Sequence, residues 1–125
     1  MWKYDRKSKT LTHNGSFVAY GYSGKGAYKD HPEYQNIKSH HGGANAAPLP
    51  AGTYIISPPF NSPATGPYAM RLKPSSSNQM FGRGDFEIHG DKIADPGNAS
   101  DGCIILGPSV RKHIWMSGDR GLIVE

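Results

Sequence analysis

The chain has 125 residues, a formal net charge of +4, 36% apolar and 19% charged residues, 16 Gly, 10 Pro and a single Cys. That length supports one hydrophobic core and one domain, residues 1–125, and a Gly and Pro share below the disordered range points to short strands joined by many turns. One cysteine excludes an internal disulfide framework and cannot by itself build a zinc finger, and no stretch approaches the roughly 18 apolar residues of a membrane span.

The opening "MWKYD" reads as a strand. "TLTH" and "SFVAY" flank Asn14-Gly15, two residues that accept the positive φ angles of a two-residue hairpin turn. Residues 25–52 show little periodicity and read as a long loop with one turn of helix, a length that in a compact domain usually marks function or mobility. "GTYIIS" resumes strand character, and "PPFNSPATGP" reads as turn material. "YAMRLK" and "FEIHG" are strands separated by the Ser-rich "PSSSNQ" loop, and "CIIL" is a short buried strand. "GPSVRKHIWMSG" is the one convincing helix, with Pro108 in its first turn and Gly118 at its end. "GLIVE" closes the chain as a strand. The expected fold is mainly β, a sheet sandwich or partly closed barrel with one short helix near the C-terminus.

Chemistry concentrates between residues 88 and 106. Alternation along "FEIHG" assigns Phe86 and Ile88 to the core and turns Glu87 and His89 to the other face. Cys103 begins a second strand directly after a glycine, where a thiol can reach a cleft and the N–H groups of Gly102 and Cys103 can face an oxyanion. Only the thiolate is strongly nucleophilic, so Cys103 needs an imidazole nearby. Lone cysteines are also commonly buried, inert and small-hydrophobe-like, and Asp101 opposes thiolate formation. The residues by themselves leave both readings open.

"HGD" followed by "ASDGCIIL" resembles the H…SxGC signature of YkuD-type L,D-transpeptidases. "MWKYD", "YGYSGKG", "PLPAGTYII" and "GRGDFEIHGD" extend the resemblance over nearly the whole chain, to the DUF2778 branch that includes the Tlde1 effectors of type VI secretion. What the resemblance implies is a YkuD-like L,D-transpeptidase fold and a cofactor-free cysteine enzyme acting on peptidoglycan stem peptides. Cys103 would then be the nucleophile, His89 its base, and Ser100 the motif serine that helps arrange the site. Gly102 and Cys103 would supply the oxyanion N–H groups. Tyr22, Ser23 and Gly24 match the family's "YSG" segment and are expected on the cleft wall, with Asp91, Asp101 and Arg83 among the substrate-binding residues. Attack on the L-centre carbonyl of meso-diaminopimelate would expel D-Ala and leave a thioester, resolved by water as L,D-carboxypeptidase or by an amine as transpeptidation or D-amino-acid exchange. Against the usual SHGCIR motif, Asp101 replaces the second histidine and Ile105 the arginine, so Arg83, Lys92 or Arg111 would have to receive a substrate carboxylate.

The implied partners are stem peptides, a cognate immunity protein and a component of the type VI secretion apparatus. "MWKYDRKSKT" lacks the apolar core of a secretory signal, so the expectation is synthesis in the cytoplasm and delivery by another route to the periplasm of a target bacterium, as an antibacterial toxin. Scattered charge and the absence of interleaved basic and aromatic residues argue against nucleic acid, and membrane insertion is not expected. "GYSGKG" lacks the phosphate-loop pattern. His40, His41, His89, Asp91 and Asp95 lack the spacing of a zinc peptidase, so no metal is expected and His40 and His41 read as solvated loop residues. The alternative from another class is a non-catalytic wall-binding or phage-derived structural module that kept this fold.

Overall fold

The computed structural model describes residues 1–38 and 43–125; the readings made for His40 and His41 lie outside the described residues. Nine strands and one helix are present among these: β1 (Trp2–Asp5), β2 (Thr10–His13), β3 (Ser16–Tyr20), β4 (Tyr22–Ser23), β5 (Gly52–Ser62), β6 (Gly66–Pro74), β7 (Glu87–His89), β8 (Ile104–Ile105), α1 (Pro108–Met116) and β9 (Gly121–Val124). The strands form one mixed sheet in the order β3-β2-β1-β9-β5-β6-β7-β8-β4. The mainly β class with one helix agrees with expectation. The sheet is not closed into a barrel: β3 and β4 stand at opposite ends of the order.

The β2–β3 hairpin turns on Asn14 and Gly15, at φ of 49° and 86°, the positive angles that a two-residue hairpin turn demands. β5 corrects the sequence reading. It continues through Pro58, Pro59 and Phe60 to Ser62, and its pairing with β6 shifts register between Ile56 and Pro59 and between Phe60 and Ser62. Prolines lack the ladder donor, and bulges absorb that loss. The 25–52 segment contains two 3-10 turns, Gly26–Tyr28 and Pro32–Tyr34, and reciprocal backbone bonds of 2.8 and 2.9 Å tie Lys25 to Ala46.

Two parallel pairs, β1 with β9 and β7 with β8, depart from the antiparallel rule. A parallel pair needs a crossover of a dozen or more residues, and between β7 and β8 that crossover is the irregular "GDKIADPGNASDGC". The fold therefore sets the strand ending at His89 beside the strand that follows Cys103. Behind this pair lies the core, with Ile88, Ile104, Phe86, Met70 and Tyr54 buried together and Ile114 contributed by α1. Among the described residues, no helix is long and apolar enough to cross a membrane.

Trp2 anchors the other half of the sheet. It is fully buried, stacks on His13 with ring centroids 3.9 Å apart, and meets His113 of α1 edge-on at 5.6 Å. Trp2→Ala removes the largest side chain of this cluster, and urea denaturation should read a loss of about 3–5 kcal/mol.

Candidate active site

A cleft of about 740 Å³ opens over β7 and the start of β8, and His89, Glu87, Cys103, Asp101 and Arg83 line it. Ile88 pairs with Ile104 in the parallel ladder. One step back along that register, Glu87 lies beside Cys103, and His89 stands diagonally from the thiol on the same face. The Glu87 N–H completes the link by donating to Cys103 Sγ at 3.2 Å.

His89 is 3% exposed although it lies on the Glu87 face, as alternation required. Its Nδ1 is 2.8 Å from the Gly90 carbonyl oxygen. A carbonyl only accepts, so Nδ1 carries the proton and the Nε2 lone pair is left to act as a base. Burial lowers the imidazole pKa below its ordinary value, opposed by the Gly90 bond, while Arg111 adds to the lowering. The ring is therefore neutral at pH 7, the form in which it can take a proton.

Cys103 is 9% exposed, and burial pushes its thiol up to about 12. The Glu87 and Asp101 carboxylates add to that rise, and the Glu87 and Cys103 N–H groups oppose it. Asp101 acts in the direction that the sequence suggested. Glu87 was not foreseen, because its place beside the thiol follows from parallel register and not from any local motif. Both carboxylates are held: Asp101 lies 3.4 Å from Lys25 Nζ, and Glu87 accepts from Thr65 Oγ1 at 2.7 Å.

Ser100 is fully buried. Its hydroxyl donates to the Cys103 carbonyl at 2.6 Å and accepts from the N–H groups of Gly24 at 2.8 Å and Gly102 at 3.0 Å. It shapes the turn that leads into Cys103 from within. The Gly102 N–H is thereby committed to a buried hydroxyl, whereas the Cys103 N–H faces its own sulfur. Gly102 itself is required, since its φ is +126° and an added Cβ would sit 2.6 Å from the Phe86 ring and 2.8 Å from the Arg83 guanidinium.

The expected position of "YSG" on the cleft wall is corrected. Ser23 is fully buried, donates to the Gly102 carbonyl at 2.8 Å and accepts from the Leu49 N–H at 2.9 Å. With Gly24 on Ser100, this segment braces the Cys103 turn from behind. Tyr22 donates to Asp91 at 2.6 Å and accepts from the Ala99 N–H at 3.0 Å. Asp91 also receives the Lys92 and Gly97 N–H groups, so it organises the crossover loop outside the cleft. Arg83 lines the cleft, but its guanidinium donates to the carbonyls of Gln35, Pro48 and Ala47 at 2.6, 2.7 and 3.0 Å.

The Tlde1 domain model matches residues 18–118, and the chain belongs to this family of type VI secretion effectors. That membership brings the general setting of such effectors: export toward target cells, with a secretion system and immunity as context. No curated protein matches the chain.

Ser100→Ala would strip one donor from the Cys103 carbonyl and leave the buried Gly24 and Gly102 N–H groups without their acceptor. Chemical denaturation should read a loss of about 2–4 kcal/mol. Ser100→Thr, which keeps the hydroxyl, should retain more of that stability than the alanine variant.

Proposed function

We propose that this effector is a cysteine-dependent L,D-carboxypeptidase and L,D-transpeptidase that cleaves the meso-diaminopimelate–D-Ala bond of peptidoglycan stem tetrapeptides. The observation that carries the reading is a neutral imidazole with Nε2 unprotonated, diagonal to the sole thiol on one sheet face and open to the same cleft.

With the thiol pushed up to about 12, the resting pair is neutral, not a preformed thiolate–imidazolium. Nucleophile activation is then coupled to attack. His89 Nε2 takes the Cys103 proton as Sγ bonds to the L-centre carbonyl carbon, and the tetrahedral oxyanion forms beside the sulfur. The Cys103 N–H is the backbone donor on hand there, with the Glu87 N–H, 3.2 Å from Sγ, as a second. Collapse breaks the C–N bond to D-Ala, and the imidazolium protonates the leaving amine. Water activated by the same imidazole hydrolyses the thioester; a D-amino acid in its place gives exchange. The acceptor balance rests on access to the thioester, and residues 25–47, which border the cleft at Lys38, are the segment best placed to govern it. Such cleavage in a target cell's periplasm would make the protein an antibacterial toxin, countered in the producer by a cognate immunity protein.

Burial of Cys103 favours one rival, a wall-binding module with a packed thiol. Rapid alkylation at neutral pH does not separate the two, because the resting thiol is buried and protonated in both. Product analysis does. Mass spectrometry of disaccharide-tetrapeptide incubated with the protein should show loss of D-Ala, or its replacement by added D-Met, and neither with Cys103→Ala or His89→Ala. An unchanged tetrapeptide with the folded, intact protein would instead support the binding module.

The pH profile tests the protonation states. The acid limb of kcat/KM follows His89 and should fall below pH 6.5, because burial lowers that imidazole. A preformed ion pair would lose activity as its imidazolium deprotonates on the alkaline side. The neutral pair should instead hold its plateau through about pH 9.

A further inference from the structure

A second cavity of about 480 Å³ shares the Asp85–Glu87 strand edge with the catalytic cleft and is lined on its far side by Arg71 and Lys73. Arg71 is the direct antiparallel partner of Glu87, and Glu87 lies beside Cys103. Arg71, Glu87 and Cys103 therefore form one row across β6, β7 and the start of β8. At the usual spacing between strands, the Cα atoms at the ends of that row are about 10 Å apart. That span is within reach of a peptide whose scissile carbonyl sits at the thiol.

Arg71 is exposed, unlike Arg83 and Arg111 near the cleft. Arg83 spends its donors on three loop carbonyls, and Arg111 is buried against the carbonyls of Pro67 and Tyr68. The Arg71 guanidinium lies over the Phe60 ring, 4.2 Å from its centroid, and its N–H groups meet no acceptor among the described residues. Glu87, directly across, takes the Thr65 hydroxyl and forms no ion pair with it. A planar cation held on an aromatic face with its donors uncommitted is suited to bidentate carboxylate capture.

We propose that Arg71 is the specificity-determining residue that receives a carboxylate of the substrate peptide, in the role left open by Ile105. The inference rests on the peptidase reading for the identity of the peptide, and its test is a binding measurement that needs no turnover. Calorimetric titration of L-Ala-γ-D-Glu-meso-diaminopimelate-D-Ala into the Cys103→Ala protein gives the reference Kd. Adding Arg71→Gln should raise that Kd at least about ten-fold, the loss expected for a charge-assisted contact. Three further peptides, each with one carboxylate converted to carboxamide, identify the group. The amide that removes Arg71's partner should weaken binding to the Cys103→Ala protein but have no added effect once Arg71→Gln is present. Arg71→Lys keeps the charge without the fork and should fall between the two, and it serves as the probe if the glutamine variant is poorly folded.

An Arg71→Gln Kd within two-fold of the reference overturns the inference, as does equal weakening by every amide with and without Arg71, or absence of peptide binding. Turnover separates the two levels. Cleavage by the intact enzyme with KM unchanged by Arg71→Gln sinks the Arg71 assignment alone. Arg71-dependent binding without cleavage keeps it and sinks the peptidase reading.

Discussion

The site depends on two buried serine hydroxyls. Ser100 closes the turn that ends at Cys103 and accepts the Gly24 N–H, while Ser23 donates to the Gly102 carbonyl and accepts the Leu49 N–H. Between them they bind three remote segments: the short edge strand at 22–23, the 46–49 stretch and the turn that leads into Cys103. A hydroxyl both donates and accepts, which lets one buried atom satisfy groups from different strands without introducing charge. An unpaired polar group at such depth would be costly, so the network holds as a unit. Cys103 is positioned by this network as much as by β8, which contributes only two ladder residues.

The same burial that fixes the thiol also sets its chemistry. Desolvation acts against charge on both partners: it raises the thiol and lowers the imidazole. The two shifts push the resting pair toward neutrality, and the nearby Glu87 and Asp101 carboxylates oppose a free thiolate further. Glu87 also raises the imidazole pKa, so its field would favour a transient imidazolium while disfavouring the anion. On the proposed peptidase reading, a site of this kind would stay quiet toward small electrophiles and react when bound substrate supplies an acceptor for the electron pair as the proton moves. For an effector that must cross compartments intact, a protonated resting thiol also limits oxidation, since oxidants attack the thiolate.

Much of the fold was legible because its signals are local. Asn14-Gly15 announces the hairpin, Pro108 and Gly118 bracket the helix, and alternation in "FEIHG" put His89 on the correct face. The family motif singled out Cys103 and His89 without any knowledge of the sheet. Features set by long-range register were not legible. Nothing near Glu87 marks it as the neighbour of Cys103, since that relation comes from the parallel pairing of β7 with β8. Pro58 and Pro59 concealed the length of β5, because bulges that accommodate prolines have no local signature. "YSG" was misplaced for a related reason: a small polar segment suits a cleft wall and a buried brace equally well, and only its partners decide.

The long 25–52 segment connects these observations. It is pinned by Arg6, which donates to the Gln35 side chain and the Leu49 carbonyl, by Arg83 at Gln35, Ala47 and Pro48, and by the Lys25–Ala46 bridge. The arginine fork that sequence assigned to substrate is thus spent on backbone carbonyls, where several parallel donors can gather strands that share no sheet. The cleft then gains a firm wall next to Gly102 at the cost of a free cation. Lys38 and Lys92 also line the cleft, and the row running from Cys103 through Glu87 leads to a further cation, Arg71 on the Phe60 ring. On the proposed reading, the exposed guanidinium on β6 would take the carboxylate that Arg83, spent on loop carbonyls, is not free to receive.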